Sequence, residues 1–320
     1  MPNRSRRNST KLTLAVCTYN RAEILSETIL ALFKQDCSLS EYEILIINNN
    51  SSDNTQNLLD KYESYANFRS VVEYEVGLSK ARNRALIESW TDWVAFIDDD
   101  GKIHKNFVRR CLWVIENFDF ACFGGVYLPW YKYGKPKWFR DELGSNGFIL
   151  KEVGELKNHN ASGGIMAIHA NTALSLGGFD PTLGMKGNQV LYGEESAIQV
   201  KMKKKGFRVG FDPELLMDHL VPRYKMSPWW FVKSEYLKAK KSWLAYSVVP
   251  EKKDKNLLVL IRLMIAHPKR SIRFIPKLFE PDYFWQNFML DILSPWAYDL
   301  GKYVGANNYS KDSNYDEHLL

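Results

Sequence analysis

No stretch of about 18 consecutive apolar residues occurs in the chain, so no transmembrane helix is expected. Cysteine is scarce. Cys17, Cys37, Cys111 and Cys122 are scattered and form no CxxC pair, which argues against a disulfide framework or a zinc cluster and for reduced, cytosolic thiols. The opening MPNRSRRNSTKL is basic and polar and no apolar segment follows it, so no signal peptide is expected. Internal repeats and low-complexity tracts are also absent. Nor does charge of one sign dominate, since 43 Lys and Arg stand against 37 Asp and Glu for a net +6. That balance suits phosphates, nucleotides or an anionic membrane surface, and it is far too small for a protein that coats nucleic acid, so no nucleic-acid partner is expected. The expected location is cytoplasmic, either free or peripheral at the inner face of the plasma membrane.

What the chain does have is aromatic residues and strand-like apolar runs. Hydrophobic residues make up 45% and aromatic residues 14% of 320 residues, enough for one large domain or one domain with an appendage. Lys11 to Val16 is a β-branched and apolar strand that ends in CTYNRAEIL, after which Ile24, Leu25, Ile29, Leu32 and Phe33 recur at helical spacing. Ile44 to Ile47 is a second apolar run leading into NNNSSDNT, where Ser52 or Asp53 is placed to cap a helix. A strand at Arg69 to Tyr74 precedes GLSKARNRALIES, with Ser79 as the expected cap, and Trp93 to Ile97 is the next buried strand. Apolar strands alternating with helices predict an α/β fold with a mostly parallel central sheet covered by helices. Ligands of such sheets sit at the carboxyl ends of the strands. Three polar clusters, CTYN, NNNSSD and DDD, each follow a strand's last residue. Residues 105–220 read as less regular, with a helix over Ser196 to Lys205 stopped by Gly206. The organisation predicted is a basic tail over 1–10, a main domain over 11–224, and a helical, basic and aromatic extension over 225–320.

Asp98, Asp99 and Asp100 follow directly on the apolar VAFI, and adjacent carboxylates repel unless a cation or several donors compensate them. A turn or a helix cap explains one Asp in that place; three in a row point to a metal or ribose site. Two alternate carboxylates can reach one side of a loop and bind Mg2+ or Mn2+, which in turn neutralises a diphosphate. Glu194 and Glu195 open the predicted helix of YGEESAI. Capping accounts for one of them, and the other is then available to take a proton from an acceptor hydroxyl. His219, beside Asp218, is either structural or a group that completes the metal shell or contacts phosphate. Of Arg82 and Arg84, at least one reads as a solvated helix residue, as does the KMKKKG run. Trp229, Trp230 and Phe231, with Lys233, Lys238, Lys240 and Lys241, suit a membrane surface and packing on the domain equally.

Taken in order, VCTYNR, IINNNSSDNT, GLSKARN, FIDDDG, GGFDPTLG, YGEESAIQVKMKKKGFRV and DHLVP resemble the motifs of the family 2 glycosyltransferases over about residues 11 to 223. The resemblance implies the Rossmann-like GT-A fold, with a nucleotide-binding half over 11–104 and an acceptor-binding half over 105–224. It implies inverting transfer of a sugar from a nucleotide-diphosphate donor, UDP first, to a hydroxyl of a saccharide or glycolipid acceptor, with Mn2+ or Mg2+ as cofactor. Surface polysaccharide or glycoconjugate assembly is the implied setting. Carried over residue by residue, Cys17 and Tyr19 fall in the nucleotide-binding loop after the first strand, Tyr19 at the base or ribose. Asn48 and Asn49 fall at the base-recognition turn, and Arg82 near the nucleotide. Asp98 and Asp99 fall at the nucleotide, with Asp99 toward the ribose, while Asp98, Asp100 and His219 fall at the metal. Glu195 falls at the catalytic-base position, with Glu194 as its companion. Trp130, Tyr131 and Trp138 of YLPWYKYGKPKWF, and Gly163 and Gly164 of ASGGIMAIH, fall on the acceptor side.

Two departures stand out. The base-binding turn, which often carries Asp in the family, is the neutral NNN, and the base position carries Glu where Asp is usual. A sugar nucleotidyltransferase would need a glycine-rich basic loop where this chain has CTYNRAEIL. A catalytically inactive sugar-nucleotide-binding or membrane scaffold protein would not need the intact acidic triplet and pair.

Overall fold

A computed structural model describes residues 10–147, 149–187, 193–246 and 261–309. The expected tail over 1–10 lies, but for Thr10, outside the described residues. Strands β1 (Leu12–Thr18), β2 (Tyr42–Asn48), β3 (Phe68–Val72) and β4 (Trp93–Asp98) form a parallel run in the order β3-β2-β1-β4. Their apolar residues alternate between two buried layers, as the twofold period of a strand requires. On one face Leu12, Leu14, Val16, Ile44 and Ile46 pack with Leu25, Ile29 and Leu32 of α1 (Ala22–Phe33). On the other, Ala15, Leu45 and Ile47 pack with Ala81, Ala85 and Leu86 of α3 (Leu78–Glu88). A strand covered on both faces has no polar side, which is why these runs read as continuously hydrophobic.

Beyond β4 the sheet becomes mixed. β8 (Ile165–His169) lies antiparallel between β4 and β6 (Cys122–Trp130), and β9 (Val209–Leu220) lies parallel to β6. The short β5 (Gly101–Ile103) and β7 (Gly154–Glu155) each pair antiparallel with β9, completing a nine-stranded sheet among the described residues. The parallel expectation thus describes the first four strands, and residues 105–220 are more regular than their composition suggests. They include the helices α4 (Phe107–Asn117), α5 (Ala170–Ser175) and α6 (Glu194–Lys204).

The expected caps do not take the cap positions, since Asn54, rather than Ser52 or Asp53, stands before the first residue of the helix after β2 and makes no side-chain cap bond. Asp53 Oδ1 accepts from the Thr55 N–H at 3.0 Å and its hydroxyl at 2.5 Å, at the start of α2 (Thr55–Leu59). Ser79 does not cap α3. The helix begins one residue earlier, after Gly77 at φ 153, and the Ser79 hydroxyl donates to the Leu183 carbonyl at 2.8 Å.

The chain divides into two compact units, residues 1–130 with 144–220, and residues 131–143 with 221–320. The first holds the sheet. The second packs Trp138, Phe139, Val221, Met226 and Leu290 into its own core, with helices α7 (Pro228–Tyr246), α8 (His267–Ile272) and α9 (Trp285–Tyr309). α7 and α9 approach closely through two glycines. A Cβ on Gly301 would lie 2.3 Å from the Tyr236 carbonyl oxygen, and one on Gly305 would lie 2.4 Å from that of Lys240. Of the α7 aromatics, Phe231 packs on this core, Trp230 stands edge-on to Phe231, and Trp229 is exposed. No helix among the described residues is long and apolar enough to cross a membrane.

Candidate active site

Parallel register assembles the site. Thr18 pairs with Asn48, and Cys17 with Asp98, so the loops after β1, β2 and β4 emerge at one edge of the sheet. β9 then delivers a residue from far along the chain. Gly101 of β5 pairs with His219, and the Leu220 N–H donates to the Asp100 carbonyl at 3.0 Å. His219 Nε2 consequently lies 3.2 Å from Asp100 Oδ1 and 3.5 Å from Asp98 Oδ2, with the Tyr127 ring against its imidazole at 4.8 Å. Burial opposes charge on His219, but its hydrogen bonds to Asp100 and Asp98 push it up to about 9. Burial likewise opposes charge on Asp100, yet the His219 hydrogen bond and charge, followed by Arg21, hold it well below the usual carboxylate range.

One ligand atom from each of Asp98, Asp100 and His219 lies within 4.8 Å of the other two. Two carboxylate oxygens and an imidazole nitrogen make a mixed donor set that fits a divalent first-row cation, and Asp98 keeps 39% of its side chain open to a ligand. Asp99 points elsewhere. Its carboxylate accepts from Arg21 at 2.7 Å and from the Thr18 hydroxyl at 2.8 Å, and its backbone carbonyl accepts from the Thr28 hydroxyl. Arg21 also reaches Asp100 Oδ2 at 2.7 Å. The repulsion within the triplet is therefore answered by Arg21, Thr18 and His219, two of which the sequence reading did not assign. Arg21 stands in the quoted VCTYNR, and a cation three residues past a strand that runs beside the acidic one was the available signal.

Gly163 and Gly164 lie against this machinery. A Cβ on Gly164 would fall 2.0 Å from Asp98 Oδ2, and one on Gly163 would fall 2.8 Å from an Arg82 nitrogen and 3.0 Å from the Glu195 Cβ. Only glycine lets the turn before β8 pass between the acidic triplet and the acidic pair. Gly193, left-handed at φ 105, starts α6, so Glu194 and Glu195 occupy its first turn. Glu194 is buried and accepts from Arg82 at 2.7 Å, and Arg82, also buried, donates its second terminal nitrogen to the Gly163 carbonyl. Phe96 and Phe179 stack on the Arg82 guanidinium. Burial, reinforced by the charge of Glu194 and opposed by Arg82, pushes Glu195 up to about 7. Two adjacent carboxylates thus have different characters, one locked in an ion pair and one poised near neutrality.

The remaining expected site residues are dispersed in role. Asn48 donates to Gln56 and accepts the Ser51 N–H, while Asn49 donates to the carbonyls of Glu73 and Glu75 and accepts the Gly77 N–H. Both amides therefore shape the loops of the β2 edge. Tyr19 is half-buried in the loop after β1, and burial pushes the Cys17 thiol up to about 12, which disfavours its thiolate. Trp130 carries Lys102 Nζ 3.4 Å above its ring. Tyr131 and Trp138 belong to the second unit, where Trp138 is core and Tyr131 donates to Asp141.

The sequence model of glycosyl transferase family 2 matches residues 13–173, half of the chain. The chain belongs to that family. A glucosyl-dolichyl phosphate glucuronosyltransferase of Haloferax volcanii is 24% identical over 280 residues, covering 80% of this chain and 84% of that protein. Among solved structures, the mannosyltransferase PcManGT of Pyrobaculum calidifontis, in complex with GDP-Man and Mn2+, matches 98% of this chain and 77% of its own, with a TM-score of 0.57 at 16% identity. Residues 1–349 of S. aureus TarS, in complex with UDP-GlcNAc, match 96% of this chain and 93% of their own, with a TM-score of 0.54 at 16% identity. This family 2 glycosyltransferase therefore has the GT-A fold, with the mixed sheet described above.

Proposed function

We propose that this glycosyltransferase moves a sugar, with inversion, from a nucleotide-diphosphate donor to a hydroxyl of a saccharide or glycolipid acceptor, in surface polysaccharide or glycoconjugate assembly. The observation that carries the reading is the Gly163–Gly164 dipeptide, which holds the Asp98 carboxylate on one side and Glu195 on the other with no room for a side chain between them. Asp98, Asp100 and His219 would hold Mn2+ or Mg2+, and such a cation would neutralise the charge that builds on the departing diphosphate. An imidazole in the set favours Mn2+, since Mg2+ prefers oxygen ligands and keeps its waters. Arg21 fixes Asp99 and Asp100, so Asp100 presents its other oxygen to the site.

Glu195 is the base. Its carboxylate takes the proton of the acceptor hydroxyl as the acceptor oxygen bonds to the anomeric carbon and the bond from that carbon to the diphosphate oxygen breaks. A base near neutrality is both deprotonated and basic enough for this at physiological pH. Glu194 and Arg82 position it. UDP is the first donor base to test and GDP the second, matching the nucleotides bound by TarS and PcManGT. Peripheral membrane association at the cytoplasmic face belongs to the same reading.

The test is nucleotide binding by the full chain with and without Mn2+. Asp100→Asn, which removes one charge and keeps the shape, should lose most of the metal-dependent affinity for UDP or GDP. Unchanged metal dependence in that variant would remove Asp100 from the metal site.

A further inference from the structure

The second unit carries an apolar surface with a one-signed charge pattern. Ten of the 21 large hydrophobic side chains exposed among the described residues fall within residues 261–309. Met264 is 76% exposed, Ile272 64% and Phe279 87%, with Ile265, Ile275 and Leu278 between them also open. The segment is not loosely attached. Leu263 is buried, and His267 Nε2 lies 2.9 Å from Asp299 of α9, so one side is anchored and the other is left to solvent. Between Ile261 and Phe279 the sequence has five Lys or Arg residues (Arg262, Lys269, Arg270, Arg273 and Lys277) and no Asp or Glu. Lys269 and Arg273 are exposed among the apolar residues, and Lys277 lies over the Phe274 and Tyr283 rings.

A surface of this kind is unfavourable in water and has no counter-charge within the segment. Such a concentration of exposed large apolar side chains in one short segment favours a surface that meets something. An anionic bilayer answers both properties together. The apolar side chains enter the acyl boundary while the basic groups meet lipid phosphates. A purely apolar partner would leave the exposed Lys269 and Arg273 unanswered.

We propose that the face formed by residues 261–279 docks this enzyme on an anionic lipid surface, through Met264, Ile272 and Phe279 as insertions and Lys269 and Arg273 as phosphate contacts. The exposed Trp285, just beyond, adds an interfacial aromatic. The proposal deepens the membrane part of the reading above and involves no residue of the transfer site.

Co-sedimentation of the full chain with phosphatidylcholine vesicles, with and without phosphatidylglycerol, tests it. Binding should require the anionic lipid and weaken as salt rises. Lys269→Glu with Arg273→Glu should lower binding by well over tenfold, since each basic residue near such a surface contributes roughly fivefold. Met264→Ser with Ile272→Ser and Phe279→Ser should abolish binding even at low salt. Thermal melting and nucleotide binding by both variants should match the wild type, which keeps loss of docking apart from loss of fold or of the transfer site. The proposal is overturned if the wild type ignores anionic vesicles, or if both variants bind like it. It is equally overturned if the wild type is a dimer that the serine variant splits while vesicle binding stays absent, because the face would then belong to a second copy.

Discussion

The two units use charge in opposite ways. In the sheet unit charges are taken inside and matched. Arg82 meets Glu194, Arg21 meets Asp99 and Asp100, Arg69 meets the fully buried Glu43, and Arg110 meets the fully buried Asp212. In the helical unit the stretch 261–279 sets cations among exposed apolar side chains with no acidic residue in the segment. The difference teaches where each unit's chemistry is directed. Matched interior charges fix a few side chains in place, which a site that moves a proton and holds a diphosphate needs. Exposed cations with no acidic residue in their own segment, such as Lys269 and Arg273, leave the balancing to something outside that segment.

The comparison breaks most sharply at Glu195. Glu195→Gln keeps the shape and removes the proposed base, so turnover should fall by about two to four orders of magnitude while donor affinity stays near the wild type. Glu195→Asp, one methylene short, should retain part of the activity, with the deficit arising from geometry. Steady-state kinetics beside nucleotide titration separates these outcomes. Full activity in Glu195→Gln would place the base elsewhere and leave the acidic pair a structural device.

Arg82→Met sharpens the contrast in stability. It leaves Glu194 as a buried charge without its partner, a loss of about 3–5 kcal/mol for pairs of this kind. Gly301→Ala in the helical unit forces a Cβ to within 2.3 Å of the Tyr236 carbonyl oxygen and should cost less, about 1–3 kcal/mol, because helices can shift apart. Denaturant unfolding measures both. A smaller loss for Arg82→Met than for Gly301→Ala would show that the buried pair does not anchor the sheet unit.

How legible each unit was in sequence follows the same divide. Strands β1, β2 and β4 are buried on both faces and end directly in polar clusters, so both their existence and the edge where the site lies could be read from the residues. Strand β6 could not. Its Gly124 and Gly125 look like breakers, yet a Cβ at Gly124 would fall 2.5 Å from the Ala161 Cβ, and one at Gly125 would fall 2.1 Å from the Leu215 carbonyl oxygen. They are glycines because neighbouring chain passes too close for a side chain, and that proximity lies far outside any local window. The same limit hid Arg21, whose partners sit 78 and 79 residues away. It also hid how close Gly163 and Gly164 come to Asp98, Arg82 and Glu195. In the helical unit the amphipathic pattern was visible, but periodicity does not say which apolar stripe is covered. Phe231 is partly buried against the core of its unit, and Phe279 is surface.

The smallest effect expected is a shift in pH dependence, and it tests whether the two glutamates act on one another. In its proposed role Glu195 must be deprotonated to accept a proton, so activity should be present above its pKa of about 7 and be lost as pH falls through that value. Burial is the larger cause of the elevation and the negative charge of Glu194 the next, with Arg82 opposing both. Glu194→Gln removes that negative charge, and its amide oxygen can still accept from Arg82. It also frees Arg82 from its nearest anion, so more of its positive charge acts on Glu195. Both changes favour the carboxylate, and the acid limb of turnover should move to lower pH. At pH 6 a base with a pKa of about 7 is only about one-tenth deprotonated. The variant should therefore retain more of its own maximal rate at pH 6 than the wild type does, by a factor below about ten. Expressing each rate relative to the same protein at pH 8 cancels any loss of folded enzyme. A limb that stays in place would mean that Glu195 does not set it, and a limb that moves upward would mean that the Arg82–Glu194 pair had been lowering the Glu195 pKa as a unit.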